Sequence, residues 1–199
     1  MRNCLPTILC LSVGIVCGFV DAAVYTNYGY PDNSWWNSDN WDGGLPGTMS
    51  DAVMNVNNTI CEITAADPTT RCQGVFIGCY GADNSMYMSG GNLECEWLNV
   101  GRGADPNTKG YFNMTGGNVI TKAFVIPEAF GTNINYLPIG KAEIFGGTIK
   151  VTTSAFQLGD RTYLKYGGGF GTLEMRAGAS IIVNANIEEQ VHDDLYNGY

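Results

Sequence analysis

Histidine and basic charge are what this sequence has least of: one histidine, His192, and ten lysines and arginines in 199 residues. Nucleic-acid binding needs a patch of cations that neutralises phosphates. A formal net charge of −9 with no basic run sets that class aside. Ser–His–Asp and Cys–His mechanisms would depend on His192 alone, which stands beside Asp193 and Asp194 near the terminus with no GxSxG elbow to accompany it. "GGGFG" at 167–171 is followed by no Lys–Ser/Thr pair, so it reads as a corner and not as a phosphate loop. No heptad or helical period appears, although 187–199 is compatible with a short helix or the start of a further coil. Charged residues are 15% of the chain, against the roughly 25% usual in soluble domains.

The first residues look like an export signal. Arg2 supplies the positive start, an apolar run covers Ile8 to Val20, and "VDA" ends at Ala22 with tolerable residues for cleavage. Cleavage is expected after Ala22, with Ala23 the neighbouring option. The apolar run is short for a membrane span, and no later stretch is apolar enough to cross a bilayer. The division expected is therefore 1–22 signal, 23–50 cap segment and 51–199 repeats, and the location extracellular or at a cell surface. Cys4, Cys10 and Cys17 leave with the signal, and Cys61, Cys72, Cys79 and Cys95 stay. Four thiols in an exported chain favour two disulfides, for which three connectivities are open, with at least one bridge expected to involve Cys79 and Cys95. Their spacings of 11, 7 and 16 residues fit no zinc pattern.

What the chain has in abundance is glycine, 27 residues, about twice the usual share. Much of it falls in a repeat. "MYMSGGNLECEWLNVG" from residue 86 returns as "FNMTGGNVITKAFVIP" from 112 and as "AEIFGGTIKVTTSAFQLG" from 142. With Gly90, Gly116 and Gly146 as origins, 26 and 30 residues apart, apolar residues recur at fixed offsets. Met86, Phe112 and Ala142 lie four before the origin; Met88, Met114 and Ile144 lie two before. Leu93, Val119 and Ile149 follow by three, and Cys95, Thr121 and Val151 by five. A third pair is Leu98/Val100, Phe124/Ile126 and, after a two-residue insertion, Phe156/Leu158. A fourth copy begins at Leu173, and a degenerate early copy runs from Met54 and Val56 through Cys61 and Ile63 to Val75–Ile77.

Residues two apart that are apolar, with polar ones between, define half-buried strands. A period of 20–50 residues made only of short strands defines a solenoid. The expectation is an all-β, right-handed parallel β-solenoid of about five coils, a rod about 24 Å long at one strand spacing per coil. An antiparallel sandwich shows similar strands and turns but does not require the offsets to recur in register.

Ahead of the repeat stands "SWWNSDNWDGGLPGTMSDAVMNV", in which Trp35/Trp36, Trp41, Pro46, Asp51 and Ala52 form a W…NW…G.P…D.A.. pattern. That segment, with the "MSGG-L…L.IG" units at 88–101 and 114–126, resembles secreted bacterial proteins with autotransporter-passenger-like β-solenoid repeats. The resemblance implies a surface location and a longer chain continuing past residue 199.

Candidate sites are few. Trp35, Trp36 and Trp41 would either stack on sugar rings or cap the first coil. Asp32, Asp39 and Asp42 beside them are possible calcium ligands without EF-hand spacing; no other cofactor is expected. For catalysis on this fold, the candidates are Glu94 and Glu96 with Arg102, or Asp160 with Arg161 and Lys165. Lys122 one coil from Glu96 instead predicts a plain surface ion pair, and no catalytic residue is assigned. The reading is a structural or adhesive module contacting polysaccharide or cell-surface glycan. The alternative is a polysaccharide lyase or glycoside hydrolase, recognisable by a cleft with two carboxylates and Arg/Lys across neighbouring coils.

Overall fold

The computed structural model describes residues 22–26, 32–103, 105, 107–129, 137–160, 169–184 and 186–189. Strands make up 64% of it, arranged as the expected parallel β-solenoid, of about four turns. Among the described residues there is no α-helix, and no helix long and apolar enough to cross a membrane. Residues 1–21 of the expected signal segment, with His192, Arg161 and Lys165, lie outside the described residues, whereas Ala22 opens the first strand.

Each coil contributes to two sheets. The shorter sheet stacks β4 (Thr59–Ile63), β7 (Asp83–Met88), β9 (Lys109–Met114), β11 (Ile139–Ile144) and β13 (Phe170–Met175) in chain order. The longer one begins with β1 (Ala22–Tyr25), β2 (Trp41–Asp42) and β3 (Asp51–Met54), with β5 (Thr70–Arg71) off its main path. It continues through β6 (Gly74–Cys79), β8 (Asn92–Gly103), β10 (Asn118–Ala129) and β12 (Gly147–Asp160) to β14 (Ala179–Val183) and β15 (Asn186–Glu189). Every pairing is parallel except that of β1 with β2 at one edge.

The register stacks equivalent residues as the repeat predicts. Met86, Phe112, Ala142 and Leu173 form one column; Met88, Met114, Ile144 and Met175 form the next. In the longer sheet, Leu93–Val119–Ile149–Ile181 and Leu98–Phe124–Phe156 do the same. The central members of these columns are fully buried and make one continuous core. Thr121 enters that core because its hydroxyl donates to the Ala123 carbonyl at 2.7 Å. The two-residue insertion is where β10 and β12 slip register, between Thr121 and Ala123. The early copy has a different phase from the one expected. Cys61 and Ile63, not Met54 and Val56, are the partners of Met86 and Met88, while Met54 stacks on Ile77 in the longer sheet.

The two corners of the coil differ. At the double-glycine corner the links stay short, three residues between Met88 and Asn92 and again between Met114 and Asn118, two between Ile144 and Gly147. At the other corner they lengthen: three residues from Cys79 to Asp83, five from Gly103 to Lys109, nine from Ala129 to Ile139 and nine from Asp160 to Phe170. The step from five to nine accounts for the change in repeat spacing from 26 to 30. Beside this corner the two sheets touch backbone to backbone. Gly101, at φ +84°, leaves the inward column, and Gly110 and Gly140 press against it: a Cβ on Gly140 would lie 2.1 Å from the Val100 carbonyl oxygen. Only glycine fits such a contact.

Candidate functional site

The three tryptophans of the N-terminal segment do not form an exposed platform. Trp35 is 1% and Trp41 5% exposed, with Trp36 half-buried. Trp41 meets Trp35 and Tyr25 edge-on, both at 4.8 Å, and its indole N–H donates to the Trp35 carbonyl at 2.7 Å. Trp35 N–H also bonds the Glu62 carbonyl, fixing this segment beside β4. With their faces covered by the core, Trp35 and Trp41 are packing residues, which corrects the sugar-stacking expectation for both. Asp32 spends its carboxylate on the loop itself, accepting from Ser34 N–H at 3.2 Å and from the Asn37 amide at 3.2 Å. Among the described residues no three His, Cys, Asp or Glu side chains converge as a metal site requires.

The cysteines are likewise structural. Cys61, Cys72, Cys79 and Cys95 are all buried free thiols, which corrects the disulfide expectation. Register explains why Cys79 and Cys95 do not meet: Cys79 pairs with Arg102 beyond the glycine corner, whereas Cys95 pairs with Thr121 in the core. Burial pushes the Cys79 and Cys95 thiols up to about 12, so neither is a nucleophile near neutral pH.

Nor do Glu94 and Glu96 share a site with Arg102. Glu94 pairs with Arg71 at 2.8 Å, and hydrogen bonding to that guanidinium holds its carboxyl below the usual range. Glu96 pairs with Lys122 at 2.5 Å, the surface ion pair expected from the repeat. Asp160 lies opposite Glu128 on the neighbouring strand.

Arg102 belongs to a different constellation. On the outer face of the longer sheet, Asp51, Gln73, Phe76, Trp97, Asn99, Arg102 and Glu128 line a cleft of about 250 Å³. Four strands or their flanks supply these residues, from β3, β6, β8 and β10. Trp97 stands in a column between Gly74 and Ala123, neighbours too small to cover it, and stays 43% exposed. Gly74 has no room for a Cβ because the Phe76 ring and the Asp51 carboxylate fill that space, at 2.6 and 2.8 Å. Arg102 lies with its guanidinium carbon 4.1 Å from the centre of the Phe76 ring and its Nε 2.9 Å from Glu128. The Asn99 amide also donates to Glu128. Asn99 is 1% exposed, yet its carbonyl oxygen Oδ1 has no partner. Desolvation raises the Asp51 carboxyl above its ordinary value, opposed by the charge of Arg102 and the Gly74 N–H.

Sequence reasoning passed over Trp97 and Glu128. The signal was present: at the register position of Trp97 the other repeats carry alanine, Ala123 and Ala155. A large aromatic there has no core to fill. A second, smaller cleft of about 120 Å³ on the shorter sheet is lined by Ser85, Tyr87, Tyr111, Asn113, Lys141 and Glu143. There the charges satisfy one another, with Lys141 and Glu143 2.5 Å apart.

Comparison of the chain with protein-family models, with curated proteins and with solved structures finds no match. The class of protein is set by the fold, a parallel β-solenoid.

Proposed function

We propose that this chain is an exported, structural and adhesive β-solenoid module that holds polysaccharide or cell-surface glycan on the outer face of its longer sheet. The observation that carries the reading is the cleft around Trp97, where an exposed indole is ringed by Asp51, Gln73, Asn99, Arg102 and Glu128. An aromatic face with several hydrogen-bonding side chains is what a sugar ring requires, apolar on its C–H face and polar at its rim. A rod of stacked coils presents that cleft on a rigid wall.

A second reading, a lyase or hydrolase on the same fold, is favoured by the same cleft, since Asp51, Glu128 and Arg102 come from different coils. Against it, Glu128 already accepts from Arg102 and Asn99, an arrangement suited to holding a ligand more than to passing a proton. The test is the full chain offered a polysaccharide panel, with retention and chain cleavage both measured. Retention without cleavage is the expected result. Cleavage abolished by Asp51→Asn or Glu128→Gln would establish the enzyme instead, and neither retention nor cleavage would overturn both readings.

A further inference from the structure

We infer that the Trp97 cleft takes a neutral pyranose unit of a glycan chain, and discriminates against uronate and sulfated sugars. The inference rests on the glycan reading and adds the chemical class.

Charge decides it first. The cleft holds two carboxylates, Asp51 and Glu128, and one guanidinium, Arg102, which is already engaged with Glu128 at 2.9 Å. An anionic sugar would bring a further negative charge to a cleft whose own sum is negative, on a chain with a net charge of −9. At physiological ionic strength screening acts over about 8 Å, which leaves contacts inside the cleft unscreened. A neutral ring meets no such penalty.

Hydrogen-bond chemistry agrees. The Asn99 Oδ1 atom is a buried acceptor without a donor, and Asp51 adds further acceptor oxygens at the rim. An unmet buried acceptor is destabilising, and a ligand hydroxyl relieves it. Gln73 contributes both a donor and an acceptor. The lining therefore asks chiefly for hydroxyl donors, which a neutral sugar has all round its rim.

Size sets the number of units. A volume of about 250 Å³ lies below the ~300–1,000 Å³ of sites for drug-sized ligands, so one ring is held and its neighbours run over the open wall.

The experiment is isothermal titration and tryptophan fluorescence of the full chain with cellohexaose, mannohexaose, laminarihexaose and hexagalacturonate. Alongside run Trp97→Ala, whose side chain is exposed and outside the core, and Gln73→Ala. At least one neutral hexaose is expected to bind, with an affinity that changes less than twofold with added salt. Trp97→Ala should weaken it about tenfold or more, the stacking loss typical of one aromatic platform. Hexagalacturonate binding as tightly as the neutral hexaoses, and lost in Trp97→Ala, overturns the neutral-sugar inference while leaving the glycan reading in place. Neutral hexaose binding unchanged in both variants overturns the site. If no hexaose binds and no polysaccharide retains the chain, the inference falls together with the reading beneath it.

Discussion

Replacing Gly140 with alanine is the sharpest trial of the way the two sheets meet. The new Cβ would lie 2.1 Å from the Val100 carbonyl oxygen and 3.0 Å from both Ile126 Cγ2 and Pro127 Cβ. An ordinary carbon–oxygen contact is about 3.3 Å, so the overlap is about 1.2 Å and the obstacle is backbone, which has no rotamer to change. Relief requires β11 and the corner of β8 to separate, and that strains the neighbouring coils through the ladders on either side. Overpacking in a core costs typically 1–3 kcal/mol, and a backbone wall places this substitution at about 3 kcal/mol or above. Gly47→Ala is the control: its only neighbour within reach is Ser50 Oγ at 4.0 Å, and the change should stay within about 0.5 kcal/mol. Urea unfolding followed by intrinsic tryptophan fluorescence, with Trp35 and Trp41 in the core, gives both values from one extrapolation. If Gly140→Ala unfolds within about 1 kcal/mol of the wild type, the contact between the sheets is not as close as described.

Met114 sits fully buried between Met88 and Ile144, and Met114→Ala should cost about 2–5 kcal/mol by the same urea assay; a neutral result would remove it from the inward column. Lys122→Met should change stability by less than about 1 kcal/mol, because Lys122 and Glu96 are 49% and 44% exposed; a larger loss would show that the pair is a structural link. Under reducing conditions stability should decline as pH rises from about 9 towards 12. The folded protein keeps the Cys79 and Cys95 protons up to about 12, the unfolded chain releases them near 9.0, and this contribution is whole only below the lower value. Cys95→Ala should flatten that decline, and an unchanged pH profile in the variant would refute the assignment.

Most of the fold was legible because the solenoid writes its contacts into the sequence at a fixed interval. Residues such as Leu93, Val119 and Ile149 touch one another for the same reason that they sit at equal offsets. Legibility failed where the repeat decays. Met54 and Val56 show the right alternation, but alternation alone does not say which side of the coil a strand occupies. The cysteines misled for a related reason. Export chemistry argues for pairing, yet pairing depends on column and corner, and Cys79 lies past a glycine that redirects the chain. The tryptophan cluster drew attention by density in sequence, whereas the cleft is assembled from residues 51 to 128, one to three per strand. No local motif marks a site built across rungs.

The unequal corners have a consequence for how such a rod can be altered. The double-glycine corner holds its links to two or three residues, and the equivalent turn of the first coil, from Ile63 to Thr70, is only two residues longer than the stretch from Met88 to Leu93 on which it stacks. The other corner already accommodates links of three, five and nine residues while the columns stay aligned. Loop closure grows only slowly with length, by about 0.6 kcal/mol per doubling, so this side of the rod tolerates cargo. Arg102 and Glu128 stand at the ends of the strands that feed those links, on the rim of the cleft. Segments grafted between Gly103 and Lys109 or between Ala129 and Ile139 would thus rebuild the border of the binding surface and leave the load-carrying stack untouched. The molecule behaves as a fixed mast with an exchangeable fitting.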